Sequence, residues 1–139
     1  MALGNKKIQT MTAKELDNYI KLQEKFQLRC EAICEILKPL NDSYRYVSDF
    51  ELDVYDAKVY CEGDEYWSYG GHEHHSCAFP VNYLCMSDDA IKKTVEDELK
   101  RREEAKLEEL KRRENAAAIL QKKRDREEYE RLKKIFEGE

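Results

Sequence analysis

The apolar residues between positions 12 and 39 recur with the spacing of an amphipathic α-helix. Six of them follow a seven-residue repeat at two companion positions: Leu16, Tyr19, Phe26, Cys30, Ile33 and Leu37. Thr12 and Glu15 have the spacing of a capping box, and Pro39 does not continue a helix, so the pattern predicts a helix over residues 13–38. The apolar side of this helix must pack on a sheet or on a second helix. Cys30 and Cys34 are predicted to be small core residues and not a ligand pair.

Further along the chain the apolar period changes from seven to two, as in the strands of a half-buried antiparallel sheet. Phe50, Leu52 and Val54 would share one face of a first strand, and a turn would follow at residues 55–56. Residues 57–62 alternate in the same way and predict a second strand.

Glycines leave the number of strands open. Gly63 either bulges or ends the second strand, and the aromatic pair that follows either continues this strand or begins another. Residues 68–71 form the strongest turn signal, and residues 77–85 predict a last strand, which Pro80 confines to an edge or a bend. Residues 46–85 therefore predict a three- or four-stranded antiparallel sheet packed on the first helix.

A second helix is predicted from residue 88. Ser87 supplies a hydroxyl cap, and two aspartates follow where the helix dipole favours negative charge. Ile91, Val95 and Leu99 form a short apolar stripe, so the first three turns are predicted to join the core.

Beyond residue 100 this helix becomes highly charged. Four acid-first pairs have the i,i+4 spacing that supports a helix: Glu108–Arg112, Glu109–Arg113, Glu127–Arg131 and Glu130–Lys134. The pattern favours one continuous helix, about 75 Å long, over a hairpin broken at Asn115. The predicted fold class is α+β, with an N-terminal helix, a small three- to four-stranded antiparallel sheet and a long charged C-terminal helix. Residues 1–104 would form the α+β domain, and residues 105–139 a protruding arm for oligomerisation or partner binding.

Charge is distributed unevenly along the chain. Of the 139 residues, 40% are charged, so only part of the chain can form a core. The net charge is −5, yet residues 41–99 alone hold 14 Asp and Glu against 4 Lys and Arg. The acidic middle of the chain is where a basic partner would be attracted.

The cellular location of the protein is predicted from its cysteines and from two kinds of segment that the sequence lacks. The first residues have no apolar run of the kind found in a signal peptide, and no stretch of about 18 apolar residues occurs. The 5 cysteines are odd in number and irregularly spaced, which favours free thiols in a reducing cytoplasm. The chain is therefore expected to be soluble, cytoplasmic and without membrane contact.

All three histidines lie in the segment Gly71–Cys77. On a strand, His72 and His74 would share one face and His75 and Cys77 the other, so the four could bind one metal only at a turn. Their spacing matches no zinc motif. The segment is predicted to be a polar hairpin loop with histidines that are exposed or face a partner, and no metal or other cofactor is predicted.

No catalytic signature accompanies these residues. Cys77 and His75 have the atom types of a nucleophile and a base, but they lie two residues apart on one strand face, and no orienting Asn or Asp is implied. Gly63, Gly70 and Gly71 lack the strand-then-helix setting of a phosphate-binding loop. The chain is predicted not to be an enzyme.

An acidic and aromatic surface is the main candidate for function, because seven of the 9 tyrosines and the only tryptophan lie within residues 42–85. Carboxylates on a rigid sheet can imitate a phosphate backbone, and aromatic side chains supply anchor area. The alternative is a solvated sheet face whose aromatics serve the core and the edges. The predicted partner-binding residues are Asp49, Glu51, Asp53, Asp56, Tyr60, Glu62, Asp64, Glu65, Tyr66, Trp67 and Tyr69.

Basic triplets recur in the C-terminal helix at residues 100–102, 111–113 and 122–124. Acidic residues flank each triplet, which favours a solvated helix face over nucleic-acid contact.

The run WSYGGHE at residues 67–73, followed by Phe79-Pro80, Tyr83-Leu84 and Asp88-Asp89, resembles the hairpin of small uncharacterised bacteriophage accessory proteins. The resemblance covers roughly residues 64–90 and implies no catalytic residues. It does imply a class, since phage accessory proteins of this size are often compact acidic inhibitors of host machinery. This class includes anti-CRISPR proteins, which block a Cas nuclease by occupying its DNA-binding surface.

The sequence thus predicts a non-enzymatic, phage-type inhibitor that acts in the cytoplasm of the host cell. Its acidic and aromatic surface would bind a basic nucleic-acid-processing protein such as a CRISPR–Cas effector. One alternative is a structural homo-oligomer or adaptor assembled through residues 105–139. A second is a nucleotide-binding sponge, although the only basic residues near the sheet are Arg45, Lys58, Lys92 and Lys93.

Overall fold

The computed structural model describes residues 9–138. Helix α1 (Ala13–Leu37) is followed by a first 3-10 helix (Asp42–Arg45), strands β1 (Asp49–Asp53), β2 (Lys58–Tyr66) and β3 (His72–Pro80), a second 3-10 helix (Val81–Cys85) and helix α2 (Asp88–Glu137). The predicted α+β fold, with an N-terminal helix, a small antiparallel sheet and a long C-terminal helix, is confirmed. Residues 1–8 of the predicted domain and residue 139 of the predicted arm lie outside the described residues.

Helix α1 begins where the capping box predicts. The Thr12 hydroxyl accepts a hydrogen bond from the Glu15 backbone N–H at 3.1 Å, and the Thr12 backbone N–H donates to the Glu15 carboxylate at 3.0 Å. Both interactions satisfy N–H groups that the first helical turn leaves without a helical partner.

The sheet has three strands in the order β1-β2-β3, and both pairs are antiparallel. Strand β2 passes through Gly63 without a bulge, so the aromatic residue Tyr66 continues it and no fourth strand begins there. Gly63 is needed because the chain before β1 crosses β2 here: a Cβ on Gly63 would lie 2.0 Å from the Tyr46 carbonyl oxygen. The Ser48 N–H donates to the Glu62 carbonyl at 2.9 Å, which holds the crossing segment in place.

The predicted last strand, residues 77–85, is misplaced. Strand β3 instead covers His72–Pro80, and Val81–Cys85 form the second 3-10 helix. The histidine segment is therefore a strand and not a hairpin loop, because it pairs along its length with β2. Pro80 has no N–H to extend the ladder, and the chain turns so that Tyr83 stacks on Phe79 with ring centroids 6.2 Å apart.

The core lies between one face of the sheet and the helices. Among residues 9–138, nine buried residues form it, from the second half of α1, from β2 and β3, and from the start of α2: Cys30, Ile33, Cys34, Leu37, Val59, Cys61, Phe79, Ile91 and Val95. The prediction that Cys30 and Cys34 are small core residues is confirmed.

The first half of α1 is not covered. Leu16 and Tyr19 belong to the predicted apolar seam, but they are 50% and 53% exposed, and burial begins near Phe26. The expectation that the whole seam packs is wrong because the parts that cover α1, which are the sheet, the 3-10 helices and the start of α2, meet only its second half. The helical spacing of apolar residues identifies the apolar side of a helix. It does not show how much of the length of that side is covered by other elements.

Helix α2 is continuous, so the hairpin at Asn115 does not form. Ile91 and Val95 are buried as predicted, whereas Leu99 is exposed, so the buried stripe is one turn shorter than expected. Of the four predicted ion pairs, Glu109–Arg113 forms at 3.3 Å, while Arg131 pairs with Glu128 at i−3. The chain divides into two compact units, Met1–Val95 and Glu96–Glu139.

Candidate functional site

The two faces of the sheet differ sharply in chemistry. Alternate residues of β2 are buried at Val59, Cys61 and Gly63, which defines the inner face. The outer face carries the side chains between them and their cross-strand neighbours: Asp49, Glu51, Asp53, Lys58, Tyr60, Glu62, Asp64, Tyr66, His72, His74, Ser76, Ala78 and Pro80. Seven of the eleven predicted partner-binding residues therefore do share one surface.

Acidic side chains lie next to each other on this outer face. Asp49 of β1 is directly opposite Glu62 of β2, and Glu51 is opposite Tyr60. These four residues, together with Phe50, line a shallow depression of ≈ 260 Å³. Like charges directly across a sheet destabilise it, so a row of this kind lowers stability unless an opposite charge is brought to it.

Three other predicted acids have partners within the chain. The Asp53 carboxylate accepts hydrogen bonds from the N–H groups of Tyr55 and Asp56, at 2.9 and 3.0 Å, and so shapes the β1–β2 turn. The Tyr60 hydroxyl donates to Asp56 at 2.6 Å, and this hydrogen bond raises the pKa of Tyr60. Asp64 lies 3.0 Å from His74. These acids support the sheet, which leaves Asp49, Glu51 and Glu62 as the outer-face acids best suited to meet a partner.

Aromatic side chains are concentrated at the end of the sheet where β2 turns into β3. Tyr66 stacks on His72 with ring centroids 5.5 Å apart, and Trp67 and Tyr69 are exposed in the turn. Gly70 adopts a φ of +84°, in the region that favours glycine, and the Trp67 ring lies so close to Gly71 that a Cβ there would be 2.7 Å from it. The two glycines thus allow the turn that presents these rings.

A fully exposed tyrosine, Tyr55, was missed as a candidate. It lies in the β1–β2 turn, where its neighbour Ala57 has a φ of +53°. Its position in a predicted turn was the available signal, because turn side chains of a small sheet are seldom buried.

Glu65 does not belong to the outer face. It lies on the inner face, where its side chain is 23% exposed and one carboxylate oxygen is 3.0 Å from Nε2 of His75. Side chains alternate along a strand, so Glu65 and its neighbour Asp64 point to opposite sides.

Comparison with protein-family models, with curated proteins and with solved structures found no match. The likeness to phage accessory proteins therefore stays a prediction.

Within residues 9–138, neither helix combines the length and the apolar character that crossing a membrane requires.

The inner-face thiols are not poised for nucleophilic chemistry. Cys77 lies directly opposite Cys61, and this contact together with burial raises the pKa of Cys77. Hydrogen bonding to Cys34, with burial, raises the pKa of Cys61 to about 12. Since the thiolate is the reactive form, these side chains behave as small core residues at neutral pH. His72 and His74 lie on the outer face and His75 and Cys77 on the inner face, so the four do not converge on one metal position.

Proposed function

We propose that this protein is a non-enzymatic inhibitor of the phage accessory type, which binds a basic nucleic-acid-processing protein of the host through the outer face of its sheet. A CRISPR–Cas effector in the host cytoplasm is the partner that we favour. The observation that carries the proposal is the row formed by Asp49, Glu51 and Glu62 around Tyr60, on a sheet face turned away from the core.

The charge density of this face is about half that of duplex DNA. Alternate residues on a strand lie about 6.8 Å apart, so the carboxylates of Asp49, Glu51, Asp53 and Glu62 occupy about 14 Å of strand length. Duplex DNA carries roughly eight phosphates over the same length of its axis. A groove that binds DNA backbone would therefore meet a negative field at about half that density, and the carboxylates are held on a hydrogen-bonded sheet.

Aromatic residues would add the affinity that exposed charges alone do not supply. Tyr66, Trp67 and Tyr69 offer large side chains with few rotatable bonds, which are favoured as interface anchors. Charge complementarity would then accelerate association and make binding sensitive to salt.

The test uses purified Cas effectors and measures how far the protein inhibits their DNA binding. Reversing three outer-face charges with Asp49→Lys, Glu51→Lys and Glu62→Lys is expected to weaken inhibition by about 100-fold, because attractive contacts become repulsive. The matched control, Glu103→Lys with Glu104→Lys and Glu108→Lys, changes the net charge equally on α2 and should leave inhibition within about threefold. Circular dichroism checks that both variants fold.

Two results would overturn the proposal. One is a folded outer-face variant that inhibits as well as the wild type. The other is a wild-type protein that inhibits none of the effectors tested.

A structural oligomer is a second candidate, because exposed apolar side chains on α2 recur at intervals of eleven residues. Eleven residues make slightly more than three helical turns, so such residues lie on one side of a helix. Two series follow this spacing, and the polar Gln121 interrupts the second: Leu107, Ala118 and Tyr129, and Leu110, Gln121 and Leu132. Light scattering should show an assembly larger than 16.5 kDa that Leu107→Asp with Leu132→Asp dissociates, whereas Ile119→Asp, outside both series, has no effect. A monomeric wild type would exclude this candidate.

No observation favours the nucleotide-binding sponge. The groove between α1 and β1 is lined by Gln23, Glu24, Phe26, Gln27, Leu28 and Phe50. None of these lining residues is basic, and a phosphate-binding site needs convergent cationic groups.

A further inference from the structure

Two carboxylates and one imidazole converge on the inner face of the sheet, beside the β2–β3 turn. Glu65 of β2 is directly opposite Glu73 of β3, and His75 follows two residues later on the same side. Nε2 of His75 lies 3.0 Å from Oε2 of Glu65 and 3.9 Å from Oε2 of Glu73. One ligand atom from each residue lies within 4.8 Å of the other two.

The connection between α1 and β1 closes this cluster. The Tyr46 ring stacks on the His75 ring with centroids 4.6 Å apart, and Oγ of Ser43 lies 3.1 Å from Nδ1 of His75. The His75 side chain is only 11% exposed as a result. Gly63 makes the arrangement possible, since any side chain there would push the connection away from the sheet.

The charges of the cluster do not balance by themselves. Two carboxylates directly across a sheet repel each other, and an imidazole is at most singly charged, so it offsets no more than one of them. A divalent cation would neutralise both carboxylates and leave His75 uncharged.

The distances suit such an ion. Metal–ligand bonds of zinc with nitrogen or oxygen are about 2.0 to 2.2 Å long, so ligand atoms in a tetrahedral site lie roughly 3.4 Å apart. The two His75 distances, 3.0 and 3.9 Å, lie on either side of this value. Ser43 is placed to accept a hydrogen bond from Nδ1–H, which would leave Nε2 free to bind the metal, as is usual for metal-bound histidine.

We propose that Glu65, Glu73 and His75 bind one divalent transition-metal ion, with Ser43 orienting the His75 ring. One nitrogen and two carboxylate oxygens are ligands that zinc and manganese both accept, and water would complete the coordination. The ion would join β2, β3 and the connection before β1 at the base of the turn that carries Trp67 and Tyr69.

The test is calorimetric titration of the metal-free chain with Zn²⁺ and with Mn²⁺. The wild type should bind one ion of at least one of the two metals. His75→Gln, Glu65→Gln and Glu73→Gln should each weaken this binding by at least about tenfold, and Ser43→Ala by about the same factor. His74→Gln is the matched control: His74 is adjacent in sequence, has a carboxylate at the same distance of 3.0 Å, and lies on the outer face. It should bind metal as the wild type does.

A spectrum of the Co²⁺-loaded chain separates a ligand role from a structural one. His75→Gln replaces a nitrogen ligand and should alter the visible absorption bands, whereas His74→Gln should not. Glu73 is exposed, so Glu73→Gln remains informative if the buried variants do not fold. The proposal fails if neither metal binds with one-to-one stoichiometry, or if His74→Gln weakens binding as much as His75→Gln. Neither result depends on whether the outer face inhibits a Cas effector.

Discussion

His74 and His75 are neighbours on β3, and each lies 3.0 Å from a carboxylate of β2, yet they are in different environments. The side chains of His74 and Asp64 on the outer face are 54% and 39% exposed, while those of His75 and Glu65 on the inner face are 11% and 23% exposed. An exposed pair of this kind is screened by water and stabilises a protein by about 0 to 1 kcal/mol. A partly buried pair has lost much of its solvation and therefore depends on the groups around it. Equal distances therefore do not imply equal roles.

The contact between His75 and Glu65 should depend on Gly63. Replacing this glycine is expected to give the largest loss of stability. In Gly63→Ala the new Cβ would meet the Tyr46 carbonyl, so the connection that covers His75 must move. We expect a loss of about 3 kcal/mol in the free energy of unfolding, measured by urea denaturation. In Gly70→Ala, the added Cβ has open space and only the positive φ opposes it, so the loss should be about 1 to 2 kcal/mol. Equal losses would mean that the crossing segment tolerates displacement.

Alkaline pH should weaken the packing of the inner face of the sheet. The folded-state pKa of Cys61 is raised from 9.0 to about 12, so the stability contributed by this neutral thiol is complete below pH 9 and is lost as the pH rises toward 12. The slope is about 1.4 kcal/mol per pH unit. Urea denaturation between pH 8 and 10 should show a shallower slope for Cys61→Ala than for the wild type. Cys85→Ala, at an exposed position, should keep the wild-type slope, and a Cys61→Ala slope equal to it would contradict the prediction.

The two histidines can be compared directly in stability. His75→Gln removes a ring that stacks on Tyr46 and contacts Ser43, and we expect a loss of about 1 to 2 kcal/mol in metal-free buffer. His74→Gln should cost less than about 0.5 kcal/mol. Thermal unfolding of the two variants measures the difference. If both lose the same stability, burial does not distinguish the pairs.

The smallest expected effect is a gain in stability on the outer face. Asp49→Asn removes one of two like charges that are directly opposite, Asp49 and Glu62, and should stabilise the protein by about 0.2 to 1 kcal/mol. The gain should shrink in 1 M salt, where charges are screened over about 3 Å. Ser76→Ala, on the same face but uncharged, is the control and should show no such salt dependence. A loss of stability in Asp49→Asn would show that the acids stabilise the sheet.

Local signals in the sequence predicted much of this fold. The Thr12–Glu15 spacing located the start of α1, and alternation over residues 57–62 predicted the strand that buries Val59 and Cys61. The histidine segment was misjudged because its polar composition resembles a loop, and its pairing with β2 is a contact between distant parts of the chain. The exposed first half of α1 was missed for a related reason, since periodicity does not reveal the extent of a partner.

The candidate sites were predictable to different degrees. The acidic outer face follows from alternation in β1 and β2, so most of its residues were found. The placement of Glu65 depended on whether β2 continues through Gly63, a question that the sequence left open. The cluster of Glu65, Glu73 and His75 also required the register of β2 against β3 and the crossing of the segment around Tyr46, and neither is encoded in a short motif.

The position of Gly63 restricts which sequences this fold can accept. Every substitution of glycine adds at least a Cβ, and at this position the atom it would meet belongs to the backbone, which has no alternative rotamer. The side chains of the inner-face cluster have conservative replacements such as Glu→Gln, while the glycine beside it has none. In a saturation mutagenesis experiment, position 63 should tolerate fewer amino acids than any position of the acidic row.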